Sequence, residues 1–408
     1  MLNKIWLFFF VIIALAMGLQ LANGHTQVLS LTVESLFNSA KLAAEISLGL
    51  IGVLALWMGL MRVGERAGVV GALAKVLEPL LSRLMPEVPR GHAAYGSITM
   101  NLMANMLGLD NAATPLGLKA MHDLQSLNPN KSVATNAQIL FLVLNTSSVT
   151  LIPVTIFLYR AQQGAVDPAE IFLPILLATS ASSIAGVLLV AFVQRISLLN
   201  TVLLSYFSVM FALLVAFVWY LGTLSAQAMG SFSSLLGNGV LIGLILSFIL
   251  IAGYRKVAVY DEFIEGAKEG FSQSIQLIPY LLAMLVAIGL LRASGALEYC
   301  LDMIRQVVLL MGGDGRFVEA LPTAIMKPFS GSGARAMMLE TMNQYGVDSF
   351  SGRLAAIFQG STETTFYVLA VYFGAVGIRN GRHAIACGLG ADLAGVVAAI
   401  LVCYQFYG

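Results

Sequence analysis

Apolar residues run along this chain in long blocks, and most blocks have the length of a membrane crossing. A helix needs about 20 predominantly apolar residues to cover the hydrocarbon core. Such stretches fall near residues 5–22, 44–61, 137–159, 168–193, 200–222, 233–253, 275–292, 351–373 and 383–405, which predicts nine crossings. Two further blocks, 93–122 and 317–342, are apolar enough to enter the bilayer but are interrupted. Gly108, Asp110, Asn111 and Pro115 break the first, and Pro328, Gly331 and Gly333 break the second. An unpaired backbone group in lipid costs several kcal/mol, so such breaks survive only where protein or a water-filled cavity receives them. Both blocks therefore predict helical hairpins that enter and leave on one side. Segments 64–85, 257–272 and 296–311 mix charges with apolar residues at helical spacing, predicting helices in the interface or against a neighbouring subunit.

The polar positions inside the blocks form a second pattern, and it occurs twice. Asn101 to Gly117 is followed by Asn145-Thr146-Ser147-Ser148-Val149-Thr150, and Lys327 to Ala336 by Gln359-Gly360-Ser361-Thr362-Glu363-Thr364. Glu34 to Lys41 likewise matches Asp261 to Lys268, and Gly59 to Arg62 matches Gly289 to Arg292. An odd number of predicted crossings separates the two copies, which turns the second upside down, as in many secondary transporters. The expected fold is an all-α polytopic membrane protein with broken helices and re-entrant hairpins. It has a first repeat over 1–195, a linking transmembrane helix over 196–230 and an inverted second repeat over 231–408.

Composition agrees with this class. The chain is 58% hydrophobic and 11% charged, with mean hydropathy +0.86, against roughly a quarter charged in soluble domains. The net charge of +1 without like-charge blocks gives no reason to expect nucleic acid or an acidic partner. Cys300, Cys387 and Cys403 form no ligand pair, and His25, His92, His122 and His383 lack ligand spacing, so no metal or other cofactor is expected. The stretch Ser330 to Ala334 lacks the frame of a phosphate loop, no G-x-S-x-G is present, and enzymatic chemistry is not predicted. With re-entrant hairpins, fourteen Lys and Arg face one side and eight the other, which places the N-terminus in the cytoplasm. The first apolar run is long for a cleavable signal and is read as a retained span. Aromatic residues after Tyr367, including Tyr372 and Phe373, suggest an interfacial belt.

Candidate chemistry concentrates in the broken elements. Asn105, Asp110, Asn111, Thr114, Asn145, Thr146, Ser147, Ser148 and Thr150 come from the first copy, and Ser330, Ser332, Gln359, Ser361, Thr362 and Thr364 from the second. Amides and hydroxyls offer both hydrogen-bond roles, and half-helix N-termini add partial positive charge, a set suited to a neutral or zwitterionic polar solute. A carboxylate at membrane depth is costly, which makes Glu363 a candidate for cation or proton coupling, or for an ion pair with Arg335 or Lys327; Asp392 is a second such acid. The same hydroxyls and amides also serve as bonds between packed helices, and Asp110 also suits a helix cap. Both readings stay open at this point.

Two segments carry a family resemblance. Residues from about 45 to 160, with Leu107 to Gly117 and Leu144 to Ser148, resemble the spore maturation protein A family. Residues from about 255 to 408, with Lys327 to Ala334 and Gln359 to Gly374, resemble the spore maturation protein B family. The chain looks like a fusion of the two, with the helix near 200–222 as the joint. Each half is similar to the nucleoside recognition, or gate, domain shared with concentrative nucleoside transporters and the membrane part of a ferrous-iron transporter. The resemblance implies a bacterial inner-membrane transporter or facilitator of a small polar solute, working by alternating access between two gate-type repeats. The expected partners are the lipid bilayer, the small polar solute, a coupling cation and further copies in a homo-oligomer. The alternative is a non-transporting scaffold that organises envelope or spore-maturation proteins.

Overall fold

A computed structural model describes residues 2–69, 79–106, 110–196 and 219–408, together with Ser205, Ser208, Ala212, Ala216 and Phe217. In chain order the helices are α1 (Leu2–Ala22), α2 (Gln27–Arg66), α3 (Ala93–Met106), α4 (Asp110–Ser126), α5 (Asn136–Thr146), α6 (Val154–Gln162), α7 (Phe172–Gln194) and α8 (Ala226–Tyr254). They continue as α9 (Val259–Ala293), α10 (Ala296–Leu310), α11 (Leu321–Met326), α12 (Gly331–Tyr345), α13 (Phe350–Ser361), α14 (Thr365–Ala375) and α15 (Ala384–Tyr407). Among the described residues, α2, α7, α8 and α15 are each long and apolar enough to cross a membrane, and the end of α9 with α10 forms an apolar pair bent by 69°. The protein is an all-α polytopic membrane protein.

Several expected elements take a different form. Blocks 137–159 and 351–373 are each two half-helices, α5/α6 and α13/α14. Pro153 keeps Ile152, the residue before it, out of the helical region and suits the start of α6 at Val154. The separate surface segment expected at 257–272 is the opening of the continuous 35-residue helix α9. Asp261 and Glu262 in its first turn complement the helix dipole rather than ending a helix. The span expected at 44–61 belongs to a 40-residue helix, about 60 Å long at 1.5 Å per residue, roughly twice the hydrocarbon thickness. Much of the 64–85 segment and of the linking helix near 200–222 lies outside the described residues.

The chain divides into two compact units, one holding residues 1–59, 156–168 and 263–359 and the other 60–155, 169–262 and 360–408. The division passes through both broken spans, so each unit receives one half-helix from each. The second unit contains the hairpin α3–α4 with α5 and α14. There Ala134 N–H donates to Asn380 O (3.0 Å), Arg379 N–H donates to Ser132 O (2.9 Å), and the Arg382 guanidinium donates to Asn136 Oδ1 (2.9 Å), clasping the start of α5 to the segment after α14. The first unit contains the hairpin α11–α12 with α13 and α6, closed by the corresponding clasp. The fully buried Arg160 donates to Val347 O (3.1 Å) and Asp348 Oδ1 (2.8 Å), and Val166 N–H donates to Asp348 Oδ2 (3.0 Å). Each unit is thus assembled from the same parts in the same roles.

Within the first unit α2 and α9 approach closely through glycines at matching places. A Cβ on Gly59 would stand 2.7 Å from the Phe263 ring, and one on Gly289 would stand 2.1 Å from Ser39 Oγ. Small residues permit such backbone approach between membrane helices, where dispersion rather than water exclusion drives association. In the second unit the core gathers around α5, with Ile139, Leu140, Phe141 and Leu142 buried and the Phe141 ring stacked on Tyr372 at 5.8 Å.

Candidate functional site at two apposed helix breaks

The second unit brings the two breaks together. The first covers residues 147–153, between α5 and α6, and the second residues 362–364, between α13 and α14. In an unbroken helix the Glu363 N–H would donate to Gln359 O; here it donates to Thr146 O, at 2.8 Å. Leu151 N–H, which a helix would direct to Ser147 O, donates to Met106 O (2.9 Å) at the tip of the hairpin α3–α4, while Ser147 O accepts from the Ser183 hydroxyl. Backbone groups freed by one break are therefore taken up by the other break, by a hairpin tip or by α7. This is the internal pairing that irregular backbone at membrane depth requires.

Helices α7 and α15 press small residues against both breaks. A Cβ on Gly186 would lie 3.0 Å from Ser147 Oγ, one on Gly388 2.9 Å from Thr365 Cγ2, and one on Gly395 2.9 Å from Thr362 Cγ2. The Ser182 hydroxyl ties the helices together by donating to Ala391 O at 2.9 Å. Asp392, 4% exposed on α15, accepts a 2.6 Å bond from the hydroxyl of Thr365, the first residue of α14. The acid thus has a defined partner beside a half-helix N-terminus, where the dipole favours negative charge.

The polar side chains expected at the site sort into two groups. Asn145 Oδ1 accepts from Asn105 Nδ2 (2.8 Å) and from the Tyr372 hydroxyl (3.4 Å), and Asn145 Nδ2 donates to Phe141 O (2.9 Å). Asn101 Nδ2 donates to Ala113 O (2.7 Å), and Thr146 and Ser147 hydroxyls both donate to Val143 O (3.0 and 2.8 Å). These groups are spent on packing, except that the buried Asn101 Oδ1 has no partner among the described residues. Among the described residues no side-chain hydrogen bond engages Ser148, Thr150, Thr362, Glu363 or Thr364, although Ser148, Thr362 and Thr364 are buried and Glu363 acts electrostatically on Tyr372. Hydroxyls and a carboxylate left uncommitted at the junction are the groups a solute can use.

Tyr372 and Phe373, expected in an interfacial belt, are buried instead, 4% and 3% exposed. Tyr372 joins the asparagine network, a role that only the fold reveals. Thr114 is half-buried on α4; Asp110 begins that helix, and its side chain and that of Asn111 lie outside the described residues. The Ser361 side chain is buried at the end of α13. In the first unit, Ser330 caps α12 by accepting from Gly333 N–H (3.0 Å), with Ser332 Oγ 3.2 Å from it. Arg335 there lies over the Tyr159 ring (5.3 Å), and the buried Lys327 ammonium donates to Gln359 O (2.8 Å). A cavity of about 500 Å³ in the second unit lies at the clasp rather than at the breaks, lined by Glu87, Asn128, Asn130, Thr135, Asn136 and Arg382 among others.

Residues 47–162 and 274–379, together more than half of the chain, match the family described as Gate, nucleoside recognition. The chain belongs to the Gate family. Each Gate match runs from a long helix, α2 or α9, through a hairpin and across a broken span, so the family pattern recurs on equivalent elements. The Gate protein is 45% identical to Spore maturation protein B of Bacillus subtilis over 169 residues, covering 41% of this chain and 93% of that protein. It is 41% identical to Spore maturation protein A of the same organism over 189 residues, covering 46% of this chain and 93% of that protein. Each relative is matched nearly end to end by about half of the chain, consistent with a fusion of the two.

Proposed function

We propose that this Gate-family protein carries a small polar solute across the bacterial inner membrane by alternating access between two inverted repeats, 1–195 and 231–408, joined by 196–230. The observation that carries the reading is the set of side chains without a hydrogen bond among the described residues, Ser148, Thr150, Thr362, Glu363 and Thr364, at the place where the two breaks share a backbone bond. Hydroxyl groups of this kind bind neutral or zwitterionic solutes, and Glu363 supplies the negative charge for a coupling cation or proton. Asn105 and Thr114 belong to the surroundings in this reading; Asp110 and Asn111, whose side chains lie outside the described residues, and Ser330 and Ser332 of the first unit remain candidates to be tested by substitution. Its test begins with a thermal-shift screen of nucleosides, amino acids and dicarboxylates, followed by uptake of the binding solute into proteoliposomes. Glu363→Gln is expected to abolish the pH or cation dependence of uptake; an unchanged dependence removes Glu363 from coupling.

A second reading, a membrane scaffold for envelope or spore-maturation proteins, draws on the burial of Asn145, Thr146, Ser147 and Ser361 and on the glycine packing of α7 and α15. Under it, Thr362→Ala lowers thermal stability and changes no solute's affinity.

A further inference from the structure

Diversion of the Glu363 N–H to Thr146 O leaves the Gln359 carbonyl without its helical donor. This carbonyl lies in the last turn of α13, where unpaired C=O groups carry the negative end of the helix dipole. Half-helix C-termini of this kind are where broken-helix membrane proteins hold cations. Here the place is taken: Lys327, 5% exposed, directs its ammonium to Gln359 O at 2.8 Å. The hairpin presents it there because α11 ends at Met326 and Pro328, which has no N–H to donate, cannot extend the ladder, leaving Lys327 as the C-cap. The first break has the complementary arrangement, its hairpin tip supplying a carbonyl, Met106 O, to the freed Leu151 N–H.

We infer that Lys327 is a tethered cation that occupies, at the C-terminal end of α13, the position a monovalent metal or ammonium ion would otherwise fill. The protein accordingly needs no sodium or potassium ion at this break. The occupancy itself rests on the helix break alone.

The test therefore reads thermal stability of the purified full-length protein and does not require uptake. Wild-type protein should melt at the same temperature, within about 1 °C, in choline, sodium and potassium chloride, because ligand stabilisation requires a vacant site. Lys327→Ala should melt lower by about 5 °C or more, and ethylammonium at about 100 mM should restore at least half of the loss by mass action. Choline is too bulky to do so. Lys327→Met, which keeps the apolar stem and deletes the charge, should also be destabilised, and Lys327→Arg should be much less so. Wild-type protein stabilised by sodium or potassium over choline by more than about 3 °C, a Met variant as stable as wild type, or an Ala variant indifferent to ethylammonium overturns the inference. If the Ala variant does not fold, the wild-type salt series and the Met and Arg variants decide. Failure of the transport reading leaves all these melting temperatures unchanged.

Discussion

Replacing Asn145 by alanine separates the residues that hold the breaks together from those available to a solute. Asn145 is 2% exposed, and its amide makes three bonds of unequal worth. The bond to Phe141 O spans one turn of its own helix, and that carbonyl already has a backbone donor. The Tyr372 bond is long at 3.4 Å, and the hydroxyl keeps Asn101 Nδ2 at 3.4 Å. The 2.8 Å bond from Asn105 Nδ2 is therefore the main loss. Side-chain bonds between membrane helices average about 0.6 kcal/mol and reach about 1.7. Because Asn105 is half-buried, its freed amide can recruit water, keeping the penalty near the low end of about 1–3 kcal/mol for an unsatisfied group. With loss of packing around the buried side chain, Asn145→Ala should cost about 2 kcal/mol. A double-mutant cycle with Asn105→Ala, followed by reversible unfolding in detergent or lipid, should show a coupling of about 0.6–1.7 kcal/mol. The affinity of any solute found in the screen should change little, whereas Thr362→Ala should weaken it. Additive single mutants, or an Asn145→Ala protein of unchanged stability that no longer binds solute, would refute the division into committed and available groups.

Two further outcomes test the surrounding framework. Arg160→Met removes the fully buried guanidinium that clasps the end of α6 to Val347 and Asp348 and should destabilise the protein by about 3 kcal/mol, the lower part of the range for breaking a buried pair, since Asp348 retains access to solvent; a neutral change in an unfolding titration would show that the clasp is dispensable. Glu262 accepts from Arg62 Nε (2.9 Å) and Arg66 Nε (3.3 Å). The Arg62 hydrogen bond, with the charge of Arg66, holds its carboxyl below the ordinary value of 4.5. A depressed carboxylate stabilises the fold above its unfolded value and loses that contribution as pH falls through the folded value. The melting-temperature gap between wild type and Glu262→Gln should therefore be constant near neutral pH and close below about pH 4.5; a gap that widens on acidification contradicts the assignment.

The helix breaks were legible in the sequence because Ser, Thr and Asn compete with the helix for its own backbone groups and Pro153 obstructs it outright. Their partners were not, since the acceptor for the Glu363 N–H lies on a distant segment, Thr146, that local pattern cannot select. The continuity of α9 escaped for the opposite reason. Its charged opening looks like a boundary in one dimension, but a Cβ on Gly270 would stand 2.5 Å from Leu54 O, close packing that carries the helix through. Arg160 was readable only as one of the loop charges, and Tyr372 only as an aromatic near a span end. In both cases the deciding quantity is burial, 0% and 4% exposed, which a single sequence does not state. The two Gate copies were visible as repeated polar words, whereas the assignment of their half-helices to different units, each closed by a clasp at Ala134–Asn380 or Val166–Asp348, was not.

Under the transport reading, the backbone bond shared by the two breaks is the two-state element that alternating access would use. Glu363 N–H uses Thr146 O, whereas an unbroken helix would offer it Gln359 O, which Lys327 now holds. Moving between them exchanges the Thr146 carbonyl for one that already accepts from the Lys327 ammonium, so the cost of switching depends on that charge and on what else changes at the junction. A solute biases such an equilibrium only through contacts that differ between the states. The Ser148 and Thr362 hydroxyls lie on the two strands of backbone that would separate, so a solute bridging them favours the joined state, while one gripping either alone favours neither. Discrimination between solutes would then come from their span across the breaks as much as from their chemical class.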